Sequence, residues 1–146
     1  MYNILKHAHS GIRWILLVLL LLAIINAFRK WQAKADYQES DRKLSLYAFI
    51  ATHVQLLLGL ILYFISPYVQ FTADTMKNAV TRFYTVEHLS MMLIAIVLIT
   101  IGYSRAKKKD LATDKFKTTF WFYLIGLVLI LVSIPWPFRD LGGGWF

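Results

Sequence analysis

The chain contains no cysteine among its 146 residues. This absence excludes disulfides, iron–sulfur clusters, thiolate catalysis and thiolate zinc sites, and also the covalent attachment of a c-type haem, which requires a Cys-x-x-Cys-His motif. Charge is scarce as well, because only 16% of the residues are charged whereas 58% are hydrophobic. A soluble domain carries about a quarter charged residues, so the composition argues against an ordinary soluble fold and against a disordered chain.

Four apolar stretches account for most of the hydrophobic residues. Each is about 20 residues long, which is the length of helix that crosses the ~30 Å hydrocarbon core of a bilayer. None of them shows the alternation of apolar and polar residues that is typical of a transmembrane strand. The sequence therefore predicts an all-α, antiparallel four-helix transmembrane bundle that forms one domain over residues 1–146. The predicted spans are approximately 9–29, 44–66, 85–104 and 118–136.

The basic residues predict the orientation of this bundle. Eleven of the 16 lysines and arginines follow the first or the third span: Arg29, Lys30, Lys34, Arg42, Lys43, Arg105, Lys107, Lys108, Lys109, Lys115 and Lys117. Short loops rich in these residues stay in the cytoplasm. We therefore expect both termini on the outer side, and the net charge of +8 indicates topology and contact with lipid head groups rather than nucleic-acid binding.

All four histidines lie within or beside the spans, where an uncompensated polar side chain costs free energy. At about 1.5 Å of rise per residue, His9 and His88 lie at nearly the same depth near the outer edge of the membrane, on different helices. His53 lies near the middle of the bilayer, ~10–15 Å from the other two. Two imidazoles at one depth on facing helices are what a bis-histidine haem requires. We predict His9 and His88 as axial ligands of one non-covalent haem b, with His53 as the substitute ligand.

Arg13 lies one helical turn from His9. Its guanidinium is a candidate partner for the haem propionates. Two structural interpretations compete equally with this one, namely an ion pair with Glu87 and extension of the side chain to the lipid head groups.

Other ligand sets are weaker. His7 and His9, two residues apart, could bind copper or zinc from an extended segment, and His88 with Met91 could bind copper(I) through sulfur. His7 is therefore a weak metal candidate. His53 and Gln55 could line a quinone pocket, although they point in nearly opposite directions on a helix.

Each span carries or adjoins one glycine. Such small residues allow membrane helices to approach closely, and they also make room for a flat cofactor. Packing is the more common role for any single position. The four residues are Gly11, Gly59, Gly102 and Gly126.

Three short motifs resemble those of small bacterial four-helix membrane proteins labelled cytochrome b-like. They are His-Ala-His-Ser-Gly-Ile-Arg-Trp at the first span, Thr-His-Val-Gln-Leu-Leu-Leu-Gly in the second and Val-Glu-His in the third. The resemblance covers nearly the whole chain in length and order of spans. It implies a multi-pass protein of the bacterial inner membrane that holds b-type haem, with His9, His53 and His88 at the matching positions. Only one pair of histidines is matched in depth, so we expect at most one haem.

Two functions follow as expectations. The first is an electron carrier with one haem near the outer face, in contact with the lipid bilayer and with a redox partner or other membrane subunits. The second is a haem-free accessory subunit of a larger respiratory or transport complex. No nucleophile–base pair, phosphate-binding loop or carboxylate pair is present, so a carrier or subunit is favoured over a stand-alone enzyme.

Overall fold

A computed structural model describes all 146 residues and contains four long helices and no strand. The helices are α1 (Tyr2–Gln32), α2 (Glu39–Ile65), α3 (Ala79–Arg82), α4 (His88–Lys107) and α5 (Ala112–Ser133). A π-helical turn, Phe83–Glu87, joins the short α3 to α4, so that Ala79–Lys107 forms one helical segment. The prediction of four helices long and apolar enough to cross a membrane is confirmed, and it indicates a multi-pass membrane protein.

The four long helices form a bundle in which α1 packs against α2 and α5, and α4 packs against α5 and α2. Its centre combines large and small side chains. Leu20, Ile99 and Tyr123 are completely buried, and so are Ala48 and Ala95. Small residues at the contacts let the helix backbones approach closely, which is how membrane helices gain packing energy.

Polar groups inside the bundle are paired near the end that carries the loop between α1 and α2. The buried carboxylate of Asp41 accepts hydrogen bonds from Asn26 Nδ2 at 2.9 Å, Lys30 Nζ at 2.8 Å and the Gln38 N–H at 2.9 Å. A buried charge is tolerated when it is paired and hydrogen-bonded in this way. Asn26, a polar residue within the first span, thus has a structural role in joining α1 to α2.

The π-helical turn is tied to the segment between α2 and α3. Tyr63 Oη donates to the carbonyl oxygen of Thr85 at 2.9 Å, and the Gln70 N–H donates to Thr85 Oγ1 at 3.1 Å. A π-helical turn leaves backbone groups outside the regular ladder, and such turns are frequent at functional sites. This one directly precedes His88.

Helix α5 ends at Ser133, just before Pro135 and Pro137. The residues that follow fold back over the end of the bundle. Gly143 lies so close to the Pro135 carbonyl that a Cβ atom there would lie 1.8 Å from its oxygen, so only glycine fits. The C-terminal residues therefore cover this end of the bundle, which we call the tail end.

Candidate functional site

A cavity opens at the tail end between α1, α2, α4 and α5. Fourteen of its 25 lining residues are hydrophobic. His9 and His88 both line it, whereas His53 and His7 do not. The structure thus brings together the two histidines that the sequence analysis pairs by depth.

His9 projects from α1 towards α2, where Gly59 leaves room for its ring. A Cβ atom at Gly59 would lie only 3.2 Å from His9 Cε1. Gln55, one turn earlier on α2, donates from Nε2 to the His9 carbonyl oxygen at 2.8 Å. Nevertheless, His9 Nδ1 and Gln55 Oε1 are buried without any hydrogen-bond partner. Buried polar atoms are nearly always satisfied, so two unpaired atoms in one cavity are consistent with a site for a further polar group or ligand.

His88, the first residue of α4, is held in place by the last residue of α5. Its Nδ1–H donates to the carbonyl oxygen of Ser133 at 2.7 Å. Because a carbonyl only accepts, the neutral ring carries its proton on Nδ1 and its free lone pair on Nε2. Metal-ligating histidines characteristically donate their other ring N–H in this way.

Two prolines explain why the Ser133 carbonyl is available. If the helix continued, the Ser133 carbonyl would accept a hydrogen bond from the N–H of residue 137, and the Leu131 carbonyl would accept one from residue 135. Both of these positions are proline, which has no N–H. Trp136 Nε1 donates a hydrogen bond to the Leu131 carbonyl oxygen at 2.9 Å instead, and His88 Nδ1 donates to the carbonyl oxygen of Ser133. Two prolines in close succession are a sequence signal for the end of a helix, but their effect on a histidine 45 residues from Ser133 has no such signal.

Arg13 lines the cavity with His9 and is only 7% exposed. Its Nη2 atom donates to the carbonyl oxygens of Gly144 at 3.3 Å and Trp145 at 2.9 Å, so the guanidinium holds the C-terminal residues in place. Trp14 Nε1 adds a further bond to the Trp145 carbonyl at 2.9 Å. Arg13 Nε is buried without a partner.

The ion pair considered between Arg13 and Glu87 does not form. Glu87 accepts instead from Arg82 Nε at 2.7 Å. The side chains involved are about 40% exposed, so this is a surface pair. Depth along the helices suggests that Glu87 lies beside Arg13, but Glu87, at the end of the π-helical turn, pairs with Arg82, the last residue of α3.

His53 projects from α2 towards α4, and both of its ring nitrogens contact groups within the bundle. Its Nδ1–H donates to the Phe49 carbonyl oxygen at 2.8 Å, and Thr100 Oγ1 lies 3.3 Å from its Nε2. These contacts are those of a structural histidine. The suggested quinone pair is separated as well, because Gln55 lines the cavity and His53 does not.

His7 is exposed on α1, two residues from His9 and on another face. The structure contains no group of three or more His, Cys, Asp or Glu side chains placed to hold a metal ion. The copper and zinc interpretations of His7, His9 and His88 therefore have no third protein ligand of these types.

No family model, curated protein or solved structure matches the chain. The resemblance to cytochrome b-like membrane proteins therefore remains an expectation that rests on three short sequence motifs. The cavity is the structural feature that bears on the function of the protein.

Proposed function

We propose that this protein binds one non-covalent haem b between His9 and His88 and carries single electrons. The observation that carries the proposal is the cavity itself, in which two histidines from different helices face a largely apolar space. A haem b supplies reversible one-electron chemistry when it is bound by two imidazoles.

The residues present fit such a group. His88 has its lone pair on Nε2, because its Nδ1–H is held by the Ser133 carbonyl. His9 has an unpaired buried ring nitrogen, and Gly59 leaves space beside its ring. Apolar residues such as Leu16 and Ile96 line the same cavity and would limit the access of water to a bound group.

We propose further that the helices run antiparallel in a bacterial inner membrane, with both termini on the periplasmic side. The distribution of lysine and arginine supports this orientation. The cavity lies at the tail end, so the haem would lie near the periplasmic face. One-electron donors and acceptors would then approach from that face or from a neighbouring membrane subunit.

A specific observation favours a second candidate, an accessory subunit. Only 11% of the apolar window of α2 is buried, the smallest share of the four long helices. Its apolar face, with exposed residues such as Leu57, Ile61 and Phe64, is open to lipid or to a partner helix. Native gel electrophoresis of membranes in mild detergent tests this role. Migration only as a small free species would argue against it.

The haem proposal is tested by the reduced-minus-oxidised absorption spectrum of the purified protein. We expect the sharp α-band of a low-spin, six-coordinate haem b. His9→Ala and His88→Ala should each abolish or strongly reduce this band, because one axial ligand is lost. The matched controls are His7→Ala, on the same helix but outside the cavity, and His53→Ala, and both should keep the band.

Two results would overturn this assignment. A wild-type protein that shows no haem spectrum, even after incubation with haem, does not function as proposed. A band that survives His88→Ala but disappears in His53→Ala would move the axial ligand to the middle of the bundle.

A further inference from the structure

The cavity contains positive charge and no negative charge. Lys6 and Arg13 both line it, and none of its 25 lining residues is aspartate or glutamate. The four ion pairs of the protein involve neither of these cations. Arg13 has part of its guanidinium bonded to tail carbonyls, but its Nε atom is buried and unpaired. The Lys6 ammonium group forms no hydrogen bond or ion pair within the protein.

The two cations flank His9 on one face of α1. Lys6, His9 and Arg13 follow one another at spacings of three and four residues, which places them in a row along a helix. Lys6 lies about one turn from His9 towards the N-terminus of α1, and Arg13 lies about one turn from it towards the C-terminus. A ligand held by His9 would therefore have a cation within reach on either side.

The lining of the cavity offers further donors. Tyr68 and Tyr84 both line it, with their ring centres 5.4 Å apart, and neither hydroxyl has a hydrogen-bond partner. Burying a cation is unfavourable unless an opposite charge or hydrogen bonds compensate it. Arg13 is compensated in part by the tail carbonyls, whereas the half-buried Lys6 ammonium has no anionic partner in the cavity walls, and an anionic group of the occupant would supply one.

We infer that the cavity takes a flat, apolar ligand with carboxylates at its outer edge, and that Lys6 binds one of these carboxylates. The inference rests on the proposed function and extends it, since it names the charged groups of the ligand and adds Lys6 to the site. Such a site favours a dicarboxylate tetrapyrrole over a neutral occupant such as a quinone. Arg13 Nε is the second cationic contact.

The test measures ligand affinity rather than electron transfer. The full chain, prepared without tetrapyrrole in phosphatidylcholine nanodiscs, is titrated with haem, with haem dimethyl ester and with metal-free protoporphyrin IX. The ester lacks the charged carboxylates, and the metal-free porphyrin keeps them but has no iron for the histidines to bind. Neutral lipid avoids competition from anionic head groups.

We expect the wild-type protein to bind haem about a hundredfold more tightly than the ester, because the ester forms neither of two charge-assisted hydrogen bonds and each is worth about a factor of ten. Lys6→Met should weaken haem binding about tenfold and reduce the preference for haem over its ester to the share that Arg13 contributes. Lys6→Arg should restore most of the affinity. Lys77→Met, which removes an exposed lysine outside the cavity, should bind like the wild type.

The outcomes separate the two proposals. Equal affinities of the wild type and Lys6→Met for haem would overturn the role of Lys6 and leave the haem proposal intact. Lys6-dependent binding of metal-free protoporphyrin, without any haem spectrum, would support the carboxylate site and overturn the axial ligation. A wild type that binds none of the three ligands would overturn both. Circular dichroism of each variant checks that the helices have formed.

Discussion

At Gly59 the absence of a side chain decides where the His9 ring can lie. A Cβ atom there would lie 3.2 Å from His9 Cε1, and larger side chains would displace the ring. We expect Gly59→Val to weaken haem binding by about tenfold or more, the usual cost of disturbing a group that orients a metal ligand. The measurement is a haem titration followed by absorption. Gly11→Val is the control, because nothing lies within 4 Å of a Cβ atom at Gly11. Equal losses in both variants would mean that Gly59 has no special relation to His9.

Single residues also show how far sequence reasoning can reach. Depth along a helix follows from counting, so the pairing of His9 with His88 could be predicted and both line one cavity. The contacts of Arg13 could not be predicted, because its partners are backbone atoms more than 130 residues away. Lys6 is one of the five basic residues outside the two basic loops, and the sequence signal for its role is its position one helical turn from His9.

The contact between α4 and α5 depends on two glycines. A Cβ atom at Gly102 would lie 2.3 Å from Phe122 Cβ, and one at Gly126 would lie 2.7 Å from Ile99 Cγ1. We expect Gly102→Ala to lower the free energy of unfolding by about 1–3 kcal/mol, the usual cost of overpacking a core. Thermal or denaturant unfolding in detergent measures this difference. Gly11→Ala should change stability by less than this, and an unchanged Gly102→Ala protein would contradict the packing role.

Helices were predictable as elements, but their ends and distortions were not. The third predicted span covers approximately 85–104, whereas the helical segment runs from Ala79 to Lys107, because a helix can continue beyond the apolar residues that reveal it. The π-helical turn before His88 has no simple sequence signal, because the residues that hold it are distant in the sequence. One of them is Tyr63, which donates to the Thr85 carbonyl oxygen. At α5, Pro135 and Pro137 explain why the helix ends at Ser133, shortly before the predicted end of the fourth span near residue 136, because proline cannot donate to a helix.

For the molecule as a whole, the proposed orientation can be tested because the chain contains no cysteine. One cysteine is introduced at a time, Met76→Cys in the loop between α2 and α3 or Lys108→Cys in the loop between α4 and α5, and both positions are exposed. A maleimide that cannot cross the inner membrane is then applied to intact cells. With both termini outside, Met76→Cys should be labelled in intact cells and Lys108→Cys only after the membrane is permeabilised.

The same labelling decides which compartment the cavity faces. The cavity mouth and the Met76 loop lie at one end of the bundle, since residues 66, 68 and 69 line the cavity. Labelling of Met76→Cys in intact cells would therefore place His9 and His88 near the periplasm and direct the search for redox partners there. The unsubstituted chain, which has no thiol, gives the background. The reverse pattern, with Lys108→Cys labelled first, would invert the bundle, and electron donors and acceptors would then have to be cytoplasmic or within the membrane.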